Sequence, residues 1–260
     1  MSRLSDRVVG RRWVLWQAGR GVVGFAILGV AACRSEDEPT GRSTPAGPRS
    51  SRSGSPTDPG TGAGSTLAWS RVDLGFVAAY VLVRGREAAV VDTGVTGSGD
   101  AISAVLDEAG PGWAGVRHVV LTHKHPDHAG SIGEVLTEAG GATGYVGAAD
   151  LPEVDAPRTL TTVGDGDEVF GLQIVATPGH TAGHVAVFDP NTRVLVAGDA
   201  LNNTDGLAGS NPQFTEDEAA AAASVRRLAD LEPRTILVGH GDPVVDGAAA
   251  ALQQLAGGLG

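Results

Sequence analysis

Apolar positions in this chain fall in short runs separated by glycine and polar turns. Thr66–Val72, Val77–Arg84 and Ala88–Val91 are dominated by aliphatic and aromatic side chains, and Gly85 stands between the second and third. Runs of this length bounded by turn residues predict β-strands. Val116–Leu121, Leu172–Ala176, His184–Asp189, Arg193–Ala197 and Thr235–Val238 repeat the pattern, with shorter pieces at Thr143–Val146 and Glu168–Phe170. Helical spacing appears between them. Asp100–Ala109 puts Ile102, Val105 and Leu106 on one face, and His128–Ala139, Thr215–Leu231 and Asp246–Leu255 also read as helices. Thr215 is the expected N-cap of the long alanine-rich helix, with Glu216 and Asp217 favoured by its dipole. Asp150–Ala156, polar and with two prolines, reads as loop. The whole is an α/β pattern over residues 67–260.

The first 66 residues do not fit it. Arg3, Arg7, Arg11, Arg12 and Arg20 lead into Gly21–Ala31, eleven residues without charge. That is the length of a signal-peptide core and is too short to span a bilayer. Val30-Ala31-Ala32-Cys33 resembles a bacterial lipobox, in which cleavage leaves a lipid-bearing cysteine at the new N-terminus. Arg11-Arg12-Trp13-Val14-Leu15 also resembles a twin-arginine export signal, although Gly10 and Arg20 depart from it. Of residues 34–66, 23 of 33 are Gly, Ser, Thr or Pro; they cannot bury enough surface to offset backbone ordering. The expected organisation is a signal peptide at 1–32, a disordered linker at 33–66 and a single folded domain at 67–260. The protein is expected to be exported and held by Cys33 at the extracytoplasmic face of a membrane.

Charge narrows the partners. From Cys33 onward there are 14 basic and 29 acidic residues, a net of −15. Neutralising phosphates needs Lys and Arg, so a nucleic-acid substrate is not expected. A small molecule is. Cys33 is the only cysteine, which excludes an internal disulfide and a thiolate metal site in the body. The 39 glycines are about twice the usual share of roughly 7% and suit many tight turns.

The chemistry lies in the turns that follow the strands. Thr122-His123-Lys124-His125-Pro126-Asp127-His128 follows Val116–Leu121. Thr177-Pro178-Gly179-His180-Thr181-Ala182-Gly183-His184 follows Leu172–Ala176, Gly198-Asp199-Ala200 follows Val194–Ala197, and Gly239-His240-Gly241-Asp242 follows Thr235–Val238. Six of the seven histidines sit in these turns. Neutral imidazole and carboxylate are ligands that borderline divalent metals take. The seventh, His118, lies in an apolar strand and reads as a satisfied core or face residue. Lys124 reads as a solvated side chain and Asp242 as a turn residue.

In order and spacing, these motifs, with Val91-Asp92-Thr93-Gly94 upstream, resemble the metallo-β-lactamase superfamily. The resemblance covers about residues 67–260 and implies an αββα sandwich. It also implies two divalent metal ions, zinc first and iron or manganese as alternatives. The first would be held by His123, His125 and His180, the second by Asp127, His128 and His240, with Asp199 bridging. It implies hydrolysis by a metal-bridged hydroxide, for which Asp127 and Asp199 are the catalytic carboxylates. Asp92 would hold a loop or an imidazole N–H, and His184 would act structurally beside the site. Aspartate at 199 resembles the glyoxalase II-like ester and thioester hydrolases, whereas zinc β-lactamases usually carry Cys or Ser there. Only twenty residues follow His240, too few for the glutathione-binding helical region of glyoxalase II. The expected substrate is an ester, thioester or lactone. A β-lactamase, or a non-catalytic metal-binding surface lipoprotein, are the alternatives. Asn202, Asn203 and Phe214 are expected to line the pocket.

Overall fold

The computed structural model describes residues 66–259. The expected signal peptide at 1–32, Cys33 and the expected linker up to residue 65 lie outside the described residues.

In chain order the elements are β1 (Ala68–Asp73), β2 (Ala78–Arg84), β3 (Glu87–Val91), α1 (Gly99–Ala109), α2 (Gly112–Gly115), β4 (Val116–Val120), α3 (Pro126–Ala129), α4 (Ile132–Glu138), β5 (Thr143–Gly147), β6 (Thr161–Val163), β7 (Glu168–Val169), β8 (Leu172–Ala176), β9 (Val185–Asp189), β10 (Val194–Gly198), β11 (Leu201–Asn202), β12 (Ala208–Gly209), α5 (Glu218–Asp230), β13 (Thr235–Val238) and α6 (Ala248–Gly258). One sheet runs β1-β2-β3-β4-β5-β6 and a second β13-β10-β9-β8-β7; β11 and β12 form a small ribbon.

Alternation along each strand explains the layers. In β2, Ala79 and Val81 face a core shared with Ile102, Leu106, Val135 and Leu136 of α1 and α4. Ala78, Tyr80 and Leu82 face a second core shared with Leu172, Ile174, Val194 and Val196 of the other sheet. In β10, Leu195 and Ala197 turn away from that core toward Val225, Leu228 and Leu252 of α5 and α6. Strands buried on both faces thus carry two cores each, and three cores between four layers make the αββα sandwich. A fully buried Val or Leu contributes about 1.5–3 kcal/mol, and an exposed ion pair about 0–1. The cores therefore hold the layers together.

Strand direction decides where chemistry can collect. β3 and β4 are parallel, β10 and β13 are parallel, and β9 is antiparallel to both β8 and β10. So β8, β10 and β13 run one way, and the loops after β3, β4, β8, β10 and β13 all gather at one edge of the sandwich, where open α/β sheets hold their sites.

Several expected boundaries move. The helix expected over His128–Ala139 is two, α3 and α4, broken where Gly130 N–H donates to Gly94 O and Ser131 Oγ–H donates to Val95 O. A Cβ at Gly130 would stand 2.6 Å from Thr96 N, so the motif loop and the Asp92 loop close on each other only through glycine. The N-cap of α5 is Asp217, whose carboxylate accepts Ala220 N–H at 2.9 Å, and not Thr215. Thr215 spends its hydroxyl on Asn211 O. The last helix begins at Ala248, after Gly247 at φ 67°, two residues later than expected.

Candidate metal centre

Five loops supply the site. Asp92 follows β3 at φ 62°, a left-handed conformation that aspartate tolerates better than most residues. His123, His125, Asp127 and His128 follow β4, with α3 turning Asp127 and His128 inward. His180 and His184 follow β8, Asp199 follows β10 and His240 follows β13. The structure brings the candidate ligand atoms together in three overlapping groups, each within 4.8 Å: His123, His125 and His180; His123, His128 and Asp199; Asp127, His128 and His240. Asp199 lies between them. Its Oδ1 is 3.2 Å from His128 Nε2, and its Oδ2 is 3.4 Å from His180 Nε2 and 3.2 Å from His240 Nε2. A Cβ at Gly239 would stand 2.3 Å from Asp199 Oδ1, so this turn must be glycine for the carboxylate to enter.

Hydrogen bonds on the far side of each ring fix which nitrogen faces the centre. His128 Nδ1 donates to Asp92 Oδ2 at 2.9 Å, and His240 Nδ1 donates to Phe76 O at 2.7 Å. Thr122 Oγ1 gives its proton to Asp92, so it accepts from His123 Nδ1 at 3.0 Å. Thr215 gives its proton to Asn211 O and takes one from Ser210, so Ser210 Oγ accepts from His180 Nδ1 at 2.9 Å. Four Nε2 atoms are thereby aimed at a space that holds two carboxylates. His125 presents Nδ1 instead, 3.0 Å from His123 Nε2 and 2.9 Å from His180 Nε2. Three ring nitrogens this close cannot all hydrogen-bond one another, whereas one cation satisfies all three.

Electrostatics divide the rings: burial opposes charge on His128, but Asp199 and Asp92 outweigh it and raise that ring well above its ordinary value. Burial pushes His123 well below its ordinary value and His180 down to about 4, so both rings are neutral, the form that binds metal. Hydrogen bonds to Asp127 and Asp199 pull His240 up to about 10, and Asp127 is lowered in turn. For Asp199, burial would raise the carboxyl, but His128 and His240 outweigh it and hold it well below the usual range. Asp199 Oδ1 is nonetheless buried without a hydrogen-bond partner. A carboxylate oxygen left so, beside converging imidazoles, fits a cation. The residues present thus fit divalent metal.

The supporting residues divide into expected and missed. Asp92 accepts from His128 and from Thr122 N–H at 2.7 Å, so it ties the β3 loop to the β4 loop and orients one imidazole. His184 does not face the metal groups with a free nitrogen. Its Nε2 accepts Asp199 N–H at 3.1 Å, its Nδ1 lies 2.7 Å from Thr177 Oγ1, and burial lowers it to about 3. His118 stands apart, 3.2 Å from Tyr145 Oη, and does not join the cluster. Asn202 and Asn203 bond to Gly209 O and Asp242 O and so brace the loop. Ser210, further along the same loop, is the residue that reaches His180. Lys124 is not solvated: its side chain is 14% exposed, with Nζ 2.6 Å from Glu153 Oε1 and 2.8 Å from Glu216 Oε1. Asp150 was hidden in a segment that reads as loop. It is fully buried, and it accepts Lys124 N–H at 3.0 Å, Thr181 Oγ–H at 2.6 Å and Gly183 N–H at 2.8 Å. One carboxylate thus joins the His125 loop to the His180 loop. Its signal was available: an aspartate just past a strand, as Asp92 is.

Asp92→Ala should weaken metal binding by about 10- to 100-fold, the usual cost of losing a group that orients a ligand imidazole. Titration with a competing chelator measures it, and unchanged affinity would remove Asp92 from this role.

Comparison with known proteins supplies the family. The model of the metallo-beta-lactamase superfamily matches residues 72–240. The "Probable metallo-hydrolase YflN" of Bacillus subtilis (strain 168) is 30% identical over 201 residues, 60% of this chain and 75% of that protein. The hydroxyacylglutathione hydrolase of Rhodobacter capsulatus is 34% identical over 133 residues, 48% of each chain, so this chain spans about half of that relative. Among solved structures, a metallo-beta-lactamase family protein from Thermus thermophilus superposes with a TM-score of 0.60 at 27% identity, covering 74% of this chain and 77% of that one. The matched segment begins within β1 and ends at His240, so it takes in every loop that builds the cluster: the chain belongs to the metallo-beta-lactamase superfamily.

Proposed function

We propose that this protein is a metallo-hydrolase that uses two divalent ions to cleave an ester, thioester or lactone. His123, His125 and His180 would hold one ion and Asp127, His128 and His240 the other, with the Asp199 carboxylate between the two groups. The observation that carries this reading is the set of fixed rings, with four Nε2 atoms turned inward by their Nδ1 partners around the unsatisfied Asp199 Oδ1. Ions bound there supply Lewis acidity and an acidified water, since one Zn²⁺ can bring a water pKa to about 7. Asp127, partly buried and 3.3 Å from His240 Nε2, would orient a water held at the site and take up its proton. Asp199, rather than Cys or Ser, at the junction supports the ester and thioester class over the β-lactam class. The ligands suit zinc, and also iron or manganese.

Purified protein loaded with zinc, iron or manganese should carry close to two ions per chain by elemental analysis. It should also hydrolyse a thioester or lactone reporter in a chelator-sensitive way. No more than a trace of metal after loading would sink the proposal. Cephalosporin turnover exceeding that of both reporters would favour the β-lactamase alternative, and metal without turnover the non-catalytic one.

We also propose that the body is tethered outside the cell membrane by lipid on Cys33. The basic start, the eleven-residue apolar core and the small residues before the only cysteine support it. A single acyl chain binds only marginally, so stable tethering needs several. Cys33→Ser should block processing and lipid attachment with the metal content unchanged. Mass spectrometry showing an unmodified N-terminus at Met1 in the wild type would refute the tether.

A further inference from the structure

The hydrolase reading leaves open what kind of substrate enters, and the charges at the mouth bear on that. On the His180 side stands Lys124, paired with both Glu153 and Glu216. Glu216 is fastened to the His180 loop: its N–H donates to His180 O at 3.2 Å, and its Oε2 accepts Ala182 N–H at 3.1 Å. On the His240 side stands Arg71, 3.1 Å from Asp242 Oδ1 and 4.0 Å from Asp73 Oδ1. Each group holds one cation and two carboxylates, a net of −1. The other described basic residues are elsewhere. Arg84 pairs with Asp189 and Arg117 with Glu87, both at the opposite ends of the strands from the site, and Arg227 pairs with Asp165 on the outer helix layer.

Two exposed aromatic side chains sit on the loops that carry these groups or their neighbours. Phe76 is 63% exposed and stacks on the His240 ring, with centroids 6.2 Å apart and planes at 16°. Phe214 is 58% exposed and directly precedes Thr215, whose hydroxyl belongs to the chain that reaches His180. They are two of the three exposed large hydrophobic residues among the described residues.

We infer that the site selects substrates whose outer part, beyond reach of the metal ions, is uncharged and apolar, and that it disfavours substrates carrying a carboxylate there. This rests on the hydrolase reading. An incoming carboxylate meets two groups of net negative charge. To reach Lys124 or Arg71 it must displace carboxylates already in contact, so like-charge repulsion is not offset by a new ion pair. An apolar group meets Phe76 and Phe214 instead, at no such cost.

The test uses the full chain loaded with cobalt, and two thiols that differ at one remote position: 4-methylbenzyl mercaptan and 4-(mercaptomethyl)benzoate. Binding is read from the thiolate-to-cobalt absorption band. The neutral thiol should bind on the order of tenfold tighter at low salt, and the gap should narrow in high salt as the repulsion is screened. Glu153→Gln/Glu216→Gln, and separately the more exposed Asp242→Asn, should narrow it by strengthening carboxylate binding alone. Equal or tighter binding of the benzoate to the wild type, with cobalt bound, would overturn the inference. The corresponding neutral and carboxylate-bearing phenyl esters form a parallel arm. If neither these esters nor the thioester and lactone reporters are hydrolysed in a chelator-sensitive way, the hydrolase reading fails, while the thiol ratio still decides the charge preference of the mouth. Absence of bound cobalt overturns both.

Discussion

Asp199→Ala is expected to lower turnover of a verified substrate by about 10³-fold or more, and to strip metal from both halves of the site. The loss corresponds to on the order of 4 kcal/mol of transition-state stabilisation, within what metal-centred charge stabilisation supplies. The size follows from position. One carboxylate oxygen faces His128, the other faces His180 and His240, and no other carboxylate in the cluster touches both ligand groups. His123→Ala should match it, because His123 belongs to two of the three ligand groups. Steady-state kinetics with metal analysis of the same samples checks the pair, and circular dichroism confirms that the variants are folded. Near wild-type turnover by either variant would refute its assignment as a ligand.

Asp150→Ala should cost stability and activity together. The substitution leaves Lys124 N–H, Thr181 Oγ–H and Gly183 N–H without their acceptor in a fully buried place. A buried donor left unpaired costs about 1–3 kcal/mol, so the sum is on the order of 4 kcal/mol, or a fall of roughly 10 °C in Tm for a domain of this size. The neighbourhood cannot close over the loss. A Cβ at Gly147 would stand 1.8 Å from Gly183 O, so backbone already touches backbone there. Because the two loops carry His125 and His180, metal content should fall as well. Asp150→Asn keeps one acceptor oxygen and should lose less. Thermal unfolding and metal analysis decide it; an alanine variant with wild-type Tm and two bound ions would show that the loops hold their places without Asp150.

How much of this was legible beforehand varies by residue. Thr122–His128, Thr177–His184, Gly198–Asp199 and Gly239–His240 each follow an apolar run, and the runs are the strands β4, β8, β10 and β13. Element existence was legible because strand periodicity and the turns that end it are local. Boundaries were less so. Nothing local separates α3 from α4; the break comes from Gly130 meeting the loop around Gly94. Thr215 and Asp217 are both acceptable N-caps, and only the demand of Asn211 O for the Thr215 hydroxyl selects the aspartate.

The site divides the same way. Residue type and spacing determined by themselves which side chains can ligate a metal, since imidazole and carboxylate on successive strand-end loops carry that chemistry wherever the strands are placed. They also determined that the body is acidic and holds no thiolate. Tertiary structure alone decided that Asp150 binds two motif loops, that Ser210 completes the chain to His180, and that Lys124 is locked between Glu153 and Glu216 instead of lying in solvent. Each of these joins residues far apart in the chain, and a hydrogen bond or ion pair leaves no periodic trace in a sequence. It forms only when packing of the three cores brings the strand ends together at one edge.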